Sequence, residues 1–182
     1  FNHFDDALAS TSFPHNNYKQ YIDIESVVKF LIVYNLTHNM EINHPKSIHL
    51  YKDAGGKYTM GPIWDFDWAY DFEKTNNYFG SQRPLLQNLG HSNATGYTFF
   101  SRFLEDPEVR QLYKTTWNHF RTENKEALFA YIDWYAEQIG ESYQNDYKKW
   151  KEGSSNFEER VLQLKDWLEK RFIYIDKEVQ SY

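Results

Sequence analysis

The order of apolar and polar positions changes character several times along the chain. From Asp23 a dense run (Val27, Val28, Phe30, Leu31, Ile32, Tyr34, Leu36) covers most of a helix circumference, which predicts a largely buried helix ending near Thr37. Asp23 is placed to cap it, with Glu25 in its first turn. Residues 1–20 mix Ser, Thr, Asn, His and Pro14 without clear periodicity, and read as an irregular arm with one short helix at 4–8. After Thr37 the polar stretch 38–45 ends in Pro45 and reads as a loop. Segments 47–51 and 57–63 flank Lys52-Asp53-Ala54-Gly55-Gly56, the pattern of a β-hairpin whose glycines supply positive φ. Residues 64–97 are rich in Asn, Gly, Ser and aromatics; so long an irregular stretch in a small domain points to function.

Beyond it the pattern is helical. A short helix is expected at 97–104. Asp106-Pro107-Glu108 is a helix start, and Val109, Leu112, Tyr113, Thr116, Trp117 and Phe120 recur at three and four to about Arg121. A further helix is expected from Thr122 through Leu128, Ile132, Tyr135 and Ile139 to Trp150. The last starts at Asn156 and carries Val161, Leu164, Trp167, Leu168, Phe172, Ile175 and Val179, with Gly153-Ser154-Ser155 as the joint. The predicted fold class is mainly α (α+β): one bundle-like domain over 1–182 with one small antiparallel hairpin.

Composition narrows the partners. At 182 residues the chain suits one core, and without cysteine it has neither thiol chemistry nor disulfides. A net charge of −6 with no basic block argues against nucleic acid as partner. No apolar stretch approaches the ~20 residues of a membrane span. With 19% aromatic residues the chain has the bulk to fold as a globule.

The densest chemistry follows the second hairpin segment: Gly61-Pro62-Ile63-Trp64-Asp65-Phe66-Asp67-Trp68. In an extended chain Asp65 and Asp67 point to one side and can share a hard cation such as Mg²⁺ or Mn²⁺. The rings at 64, 66 and 68 would bury the other face. The plainer alternative has both acids capping turns or pairing with basic side chains. A hairpin also returns the loop carrying Glu41, His44 and Lys46 towards Asp65, so two distant segments can form one site. His38, His44 and His49 fit no common zinc spacing, and loop polarity accounts for them.

These residues carry a resemblance. Tyr21-Ile22-Asp23-Ile24-Glu25-Ser26-Val27, Asn39-Met40-Glu41, Lys46-Ser47-Ile48-His49-Leu50-Tyr51-Lys52-Asp53, Gly56-Lys57 and above all Gly61-Pro62-Ile63-Trp64-Asp65-Phe66-Asp67 resemble the spore coat protein H (CotH) kinase-like family. The likeness is strongest over 21–72 and extends, more weakly, to the segment 164–171. It implies the C-terminal, helical lobe of an atypical protein-kinase-like fold that uses ATP and divalent metal to phosphorylate proteins, with the lobe that covers the nucleotide lying before residue 1. Carried over by position, Asp65 matches the metal-binding acid, with Asp67 beside it. Glu41 stands where the family usually has its catalytic-loop Asp, allowing one extra residue, and Ser47 where it often has Asn. Lys46 and Ser47 are assigned to cofactor binding. A second reading is a non-catalytic module, at a cell surface or secreted, that contacts glycan or protein through Trp68, Tyr70, Phe72, Tyr78 and Phe79. A metal-dependent glycosyltransferase is a weaker third, because no βαβ nucleotide-binding pattern surrounds the Asp-x-Asp.

Overall fold

The fold was analysed in a computed structural model, which describes residues 2–43, 47–70, 80–89 and 95–182. Its elements are α1 (Asn2–Ala9), α2 (Ile24–Thr37), β1 (Leu50–Tyr51), β2 (Thr59–Met60), α3 (Thr95–Phe103), α4 (Pro107–Trp150) and α5 (Phe157–Val179), with short 3₁₀ turns at Tyr18–Gln20, Met40–Asn43 and Leu86–Asn88. The chain is a mainly helical lobe with one small antiparallel hairpin.

Helix α2 is the central pillar. Asp23 Oδ1 accepts from the backbone N–H of Glu25 at 3.0 Å and of Ser26 at 3.3 Å, which satisfies donors the first turn leaves unpaired. Val27, Val28, Leu31 and Tyr34 are fully buried, so the helix is enclosed as its all-round apolar pattern requires. It ends at His38, whose left-handed backbone (φ 51) turns the chain towards the 40–43 turn. The hairpin is anchored on the start of the same helix. Tyr58 donates its N–H to Tyr21 O at 2.7 Å, Asp23 donates to Tyr58 O at 2.8 Å, and Met60 N–H reaches Ser26 Oγ at 3.0 Å. Only two residues pair on each side, Leu50 with Met60 and Tyr51 with Thr59, a shorter ladder than the expected 47–51 and 57–63. Gly61 N–H still reaches His49 O at 3.0 Å across the hairpin, but Tyr58 and Met60 bond to the start of α2 and the residues just before it.

The amino-terminal arm carries the short helix expected at 4–8, as α1, followed by turns. Phe4 and Tyr18 are buried, and Tyr18 Oη donates to Asp106 Oδ2 at 2.6 Å, tying the arm to the α4 cap. The break expected between Arg121 and Thr122 does not exist: α4 runs 44 residues without interruption. The first glycine after Pro107 is Gly140, and Thr122 carries no turn signal beside it, so nothing ends the hydrogen-bond ladder.

The core sits where α2, α3, the inner third of α4 and the carboxyl-terminal half of α5 meet. Trp117 and Phe172 pack at 5.4 Å between centroids, and Phe30 stacks on Phe100 at 5.7 Å. Two buried polar residues fix the arrangement. Asn35 donates to Gln87 Oε1 at 2.8 Å and Tyr113 Oη at 3.1 Å, and accepts from Leu86 N–H at 2.7 Å. Arg171, wholly buried, donates Nε to Asn35 O at 2.7 Å and Nη1 to the carbonyls of Ser81 and Arg83. Most of the hydrogen bonds that such buried groups require are met, with Arg171 Nη2 left without a partner among the described residues. Beyond Trp117 α4 buries no residue; there it runs along α5, with ion pairs from Arg121 to Asp176 at 3.3 Å and from Lys125 to Glu169 and Lys165 to Asp133 at 2.7 Å each.

Candidate functional site

Three segments meet at the carboxyl end of α2: the helix end itself, the 40–43 turn and the strand exit 61–70. Main-chain bonds lock them together, from Tyr70 N–H to Thr37 O at 2.9 Å and from Met40 N–H to Trp68 O at 3.4 Å. Asn39, wholly buried, is the pin. Its Nδ2 donates to Asp65 O at 2.7 Å while its Oδ1 accepts the Glu41 N–H at 3.1 Å, so one amide positions the backbone of both candidate acids. Ser47 Oγ donates to Asp65 Oδ2 at 3.0 Å.

Asp65 itself has φ 64. A left-handed backbone costs an ordinary residue about 1–2 kcal/mol, and Asp is among the few types that tolerate it. The extended geometry expected around Asp65 is therefore absent, yet the two acids still meet. A hydrogen bond with Asp65 holds the Asp67 carboxyl above its ordinary value, burial adds a little, and the neighbouring negative charge acts in the same direction. Tyr34 reports on the wider site: burial raises its hydroxyl, its bond to Trp64 O at 3.2 Å acts against this, and the charges of Glu41 and Asp65 raise it further. The negative charges of Glu41 and Asp65 are therefore both felt at the Tyr34 hydroxyl.

Other residues fall differently. Lys46 and His44 lie outside the described residues, as do Phe72, Tyr78 and Phe79 of the aromatic-rich loop. The rings around the acids do not bury a common face. Phe66 packs on Tyr34 at 5.3 Å, whereas Trp64 is 61% and Trp68 40% exposed, because the left-handed residue between them breaks the period of two. Loop polarity does not account for His38. It is buried, and neither ring nitrogen makes a well-formed hydrogen bond among the described residues; burial, then the charges of Arg171 and Arg83, lower its pKa to about 3, with a weak bond to the Pro84 backbone acting the other way. Asn39 and Tyr34 are the site residues that sequence reasoning assigned no role. The Asn39-Met40-Glu41 triplet after a helix end was a usable signal for the first; nothing local marked the second, which reads as an ordinary core ring.

Among the described residues no group of three or more His, Asp or Glu side chains gathers to hold a metal ion. A pair of touching carboxylates with a hydroxyl beside it suits a hard cation that takes its remaining ligands from water and phosphate, as Mg²⁺ usually does. Next to Asp67 opens a cleft of about 1210 Å³, walled by Tyr70 and Gly80 on one side and by Tyr143, Leu164 and Trp167 of the α4–α5 pair on the other.

The class these features define is a helical lobe carrying a carboxylate site at a hairpin exit. The chain belongs to the CotH kinase protein family, whose pattern it matches over residues 1–175. No curated protein and no solved structure matches it. No described helix is long and apolar enough to cross a membrane.

Proposed function

We propose that this chain forms the helical lobe of a kinase that transfers the terminal phosphoryl group of ATP to a protein hydroxyl with Mg²⁺ or Mn²⁺. The observation that carries the reading is the Asn39 bridge, which joins the backbone of Glu41 to that of Asp65 across the hairpin. Phosphoryl transfer asks mainly for positioning and charge stabilisation, and a fixed pair of acids on separate segments is what it needs. Asp65 and Asp67 would hold the cation, and Ser47 steadies the Asp65 carboxylate. The bound cation would neutralise phosphate charge. Glu41 orients the acceptor hydroxyl and receives its proton as the new oxygen–phosphorus bond forms and the bond from the terminal phosphorus to the bridging oxygen breaks, releasing ADP. Lys46, assigned to the nucleotide, rests on the family resemblance alone. In the protein that carries this chain, Mg- or Mn-dependent phosphate transfer from ATP is expected, lost in Asp65→Ala and reduced at least about a hundredfold in Glu41→Gln. Unchanged transfer in Asp65→Ala would refute the assignment.

The exposure of Trp64 and Trp68 supports a second reading, a non-catalytic surface module for glycan or protein. Glycan-array binding lost in Trp68→Ala, with no phosphate transfer by the wild type, would favour it; binding by neither protein would dismiss the glycan form.

A further inference from the structure

The outer part of α4 has a face that the kinase reading does not use. Residues 125, 129, 132, 136, 139 and 143 are half-buried towards α5, and the opposite side of the helix is open. There Tyr131, Trp134 and Tyr135 are 55%, 52% and 47% exposed. They form one aromatic cluster, with Tyr131 stacked on Tyr135 at 5.8 Å and 5.5 Å from Trp134. Three large rings held together in water are costly on a surface with no use for them.

On α4 itself the charge around them has one sign, and the Lys165 of α5 that reaches Asp133 is the cation beside it. Between Lys125 and Lys148 α4 carries no basic residue over a run of about 33 Å. Glu123, Glu137 and Glu141 lie beside the rings by helical periodicity, and none has an ionic partner among the described residues. Some acids of the helix pair are matched, Asp133 between the rings by Lys165 and Glu169 by Lys125, whereas Glu126, Asp146, Glu158 and Glu159 also have no ionic partner among the described residues.

We propose that this stripe docks a cationic, arginine-rich polypeptide segment. Guanidinium groups stack on Trp and Tyr faces and pair with carboxylates, so one side-chain type satisfies both features. A second copy of the chain would set like charges against like in a two-fold contact, and a phosphate-rich surface would be repelled. A neutral glycan would use the rings and leave the carboxylates uncompensated. The proposal does not depend on the chemistry at Asp65.

The test is titration of the full protein with a labelled synthetic peptide of alternating Arg and Ala, at about 0.15 M ionic strength so that distant charges are screened. Trp134→Ala/Tyr135→Ala, which leaves net charge unchanged, is expected to weaken binding about tenfold or more. Glu137→Gln/Glu141→Gln should weaken it too, and the control Glu152→Gln/Glu158→Gln should not. All these side chains are exposed, and circular dichroism checks that each variant folds. Equal losses in the charge pair and the control would reduce the effect to general acidity and overturn the proposal. So would undiminished binding by the aromatic variant, no binding by the wild type, or a dimer or neutral oligosaccharide complex that the aromatic substitutions abolish.

Discussion

Single side chains decide whether the site exists. Asn39 is asked to hold two backbones with one amide, and its removal leaves a part-buried carbonyl and N–H without their partners. Asn39→Ala is therefore expected to cost about 1–3 kcal/mol in denaturant unfolding, and to lower phosphate transfer more than an exposed substitution does. His38 gives a pH signature. Its folded pKa of about 3 lies below the ordinary 6.5, so the unfolded chain takes the proton first. The stability it contributes is fully present above about pH 6.5 and falls by about 1.4 kcal/mol per unit as the pH drops towards 3. Unfolding measured between about pH 5 and 7, above the ordinary carboxylate range, should show this slope in the wild type. His38→Asn, whose residue tolerates the left-handed backbone and does not titrate, should flatten it. An equal slope in both proteins would place the titration elsewhere.

At the level of elements, the turn that bears Glu41 depends on a close approach from α3. A Cβ on Gly96 would lie 1.6 Å from Ile42 O, so this position admits no side chain unless the helix or the turn moves. Gly96→Ala should destabilise the fold by about 1–3 kcal/mol and impair the site without touching it, measured as a lowered unfolding midpoint together with weakened nucleotide binding. A wild-type midpoint would show that the contact yields freely. This dependence was not legible in the sequence, because it joins residues more than fifty positions apart through backbone atoms. What could be read were the features written locally: the Asp23 cap, the all-round apolar α2, the Asp106-Pro107 start of α4 and the glycine turn of the hairpin. The missed features are long-range. Continuity of α4 past Thr122 needed α5 as its partner, and although the pairing of Asp65 with Asp67 was expected from an extended chain, the left-handed backbone at Asp65 is something no alternation pattern encodes.

The molecule as a whole is stable at one end and slender at the other. The body encloses Trp117, Phe172 and Arg171, while the α4–α5 arm beyond Trp117 is two helices held along one face. Amide exchange should divide accordingly, with α4 protected over 109–120 and exchanging much faster over 125–148; uniform protection along the helix would contradict this division. The arm is also where the aromatic and acidic stripe lies, set apart from the carboxylates at the hairpin exit. The central claim concerns those carboxylates, and calorimetric titration of the protein that carries this chain with Mn²⁺ and ATP addresses it most directly. Saturable binding that requires both components and weakens at least about tenfold in Asp65→Asn is the expected result, with Trp134→Ala binding as wild type does. Equal affinity in the wild type and Asp65→Asn would contradict the account.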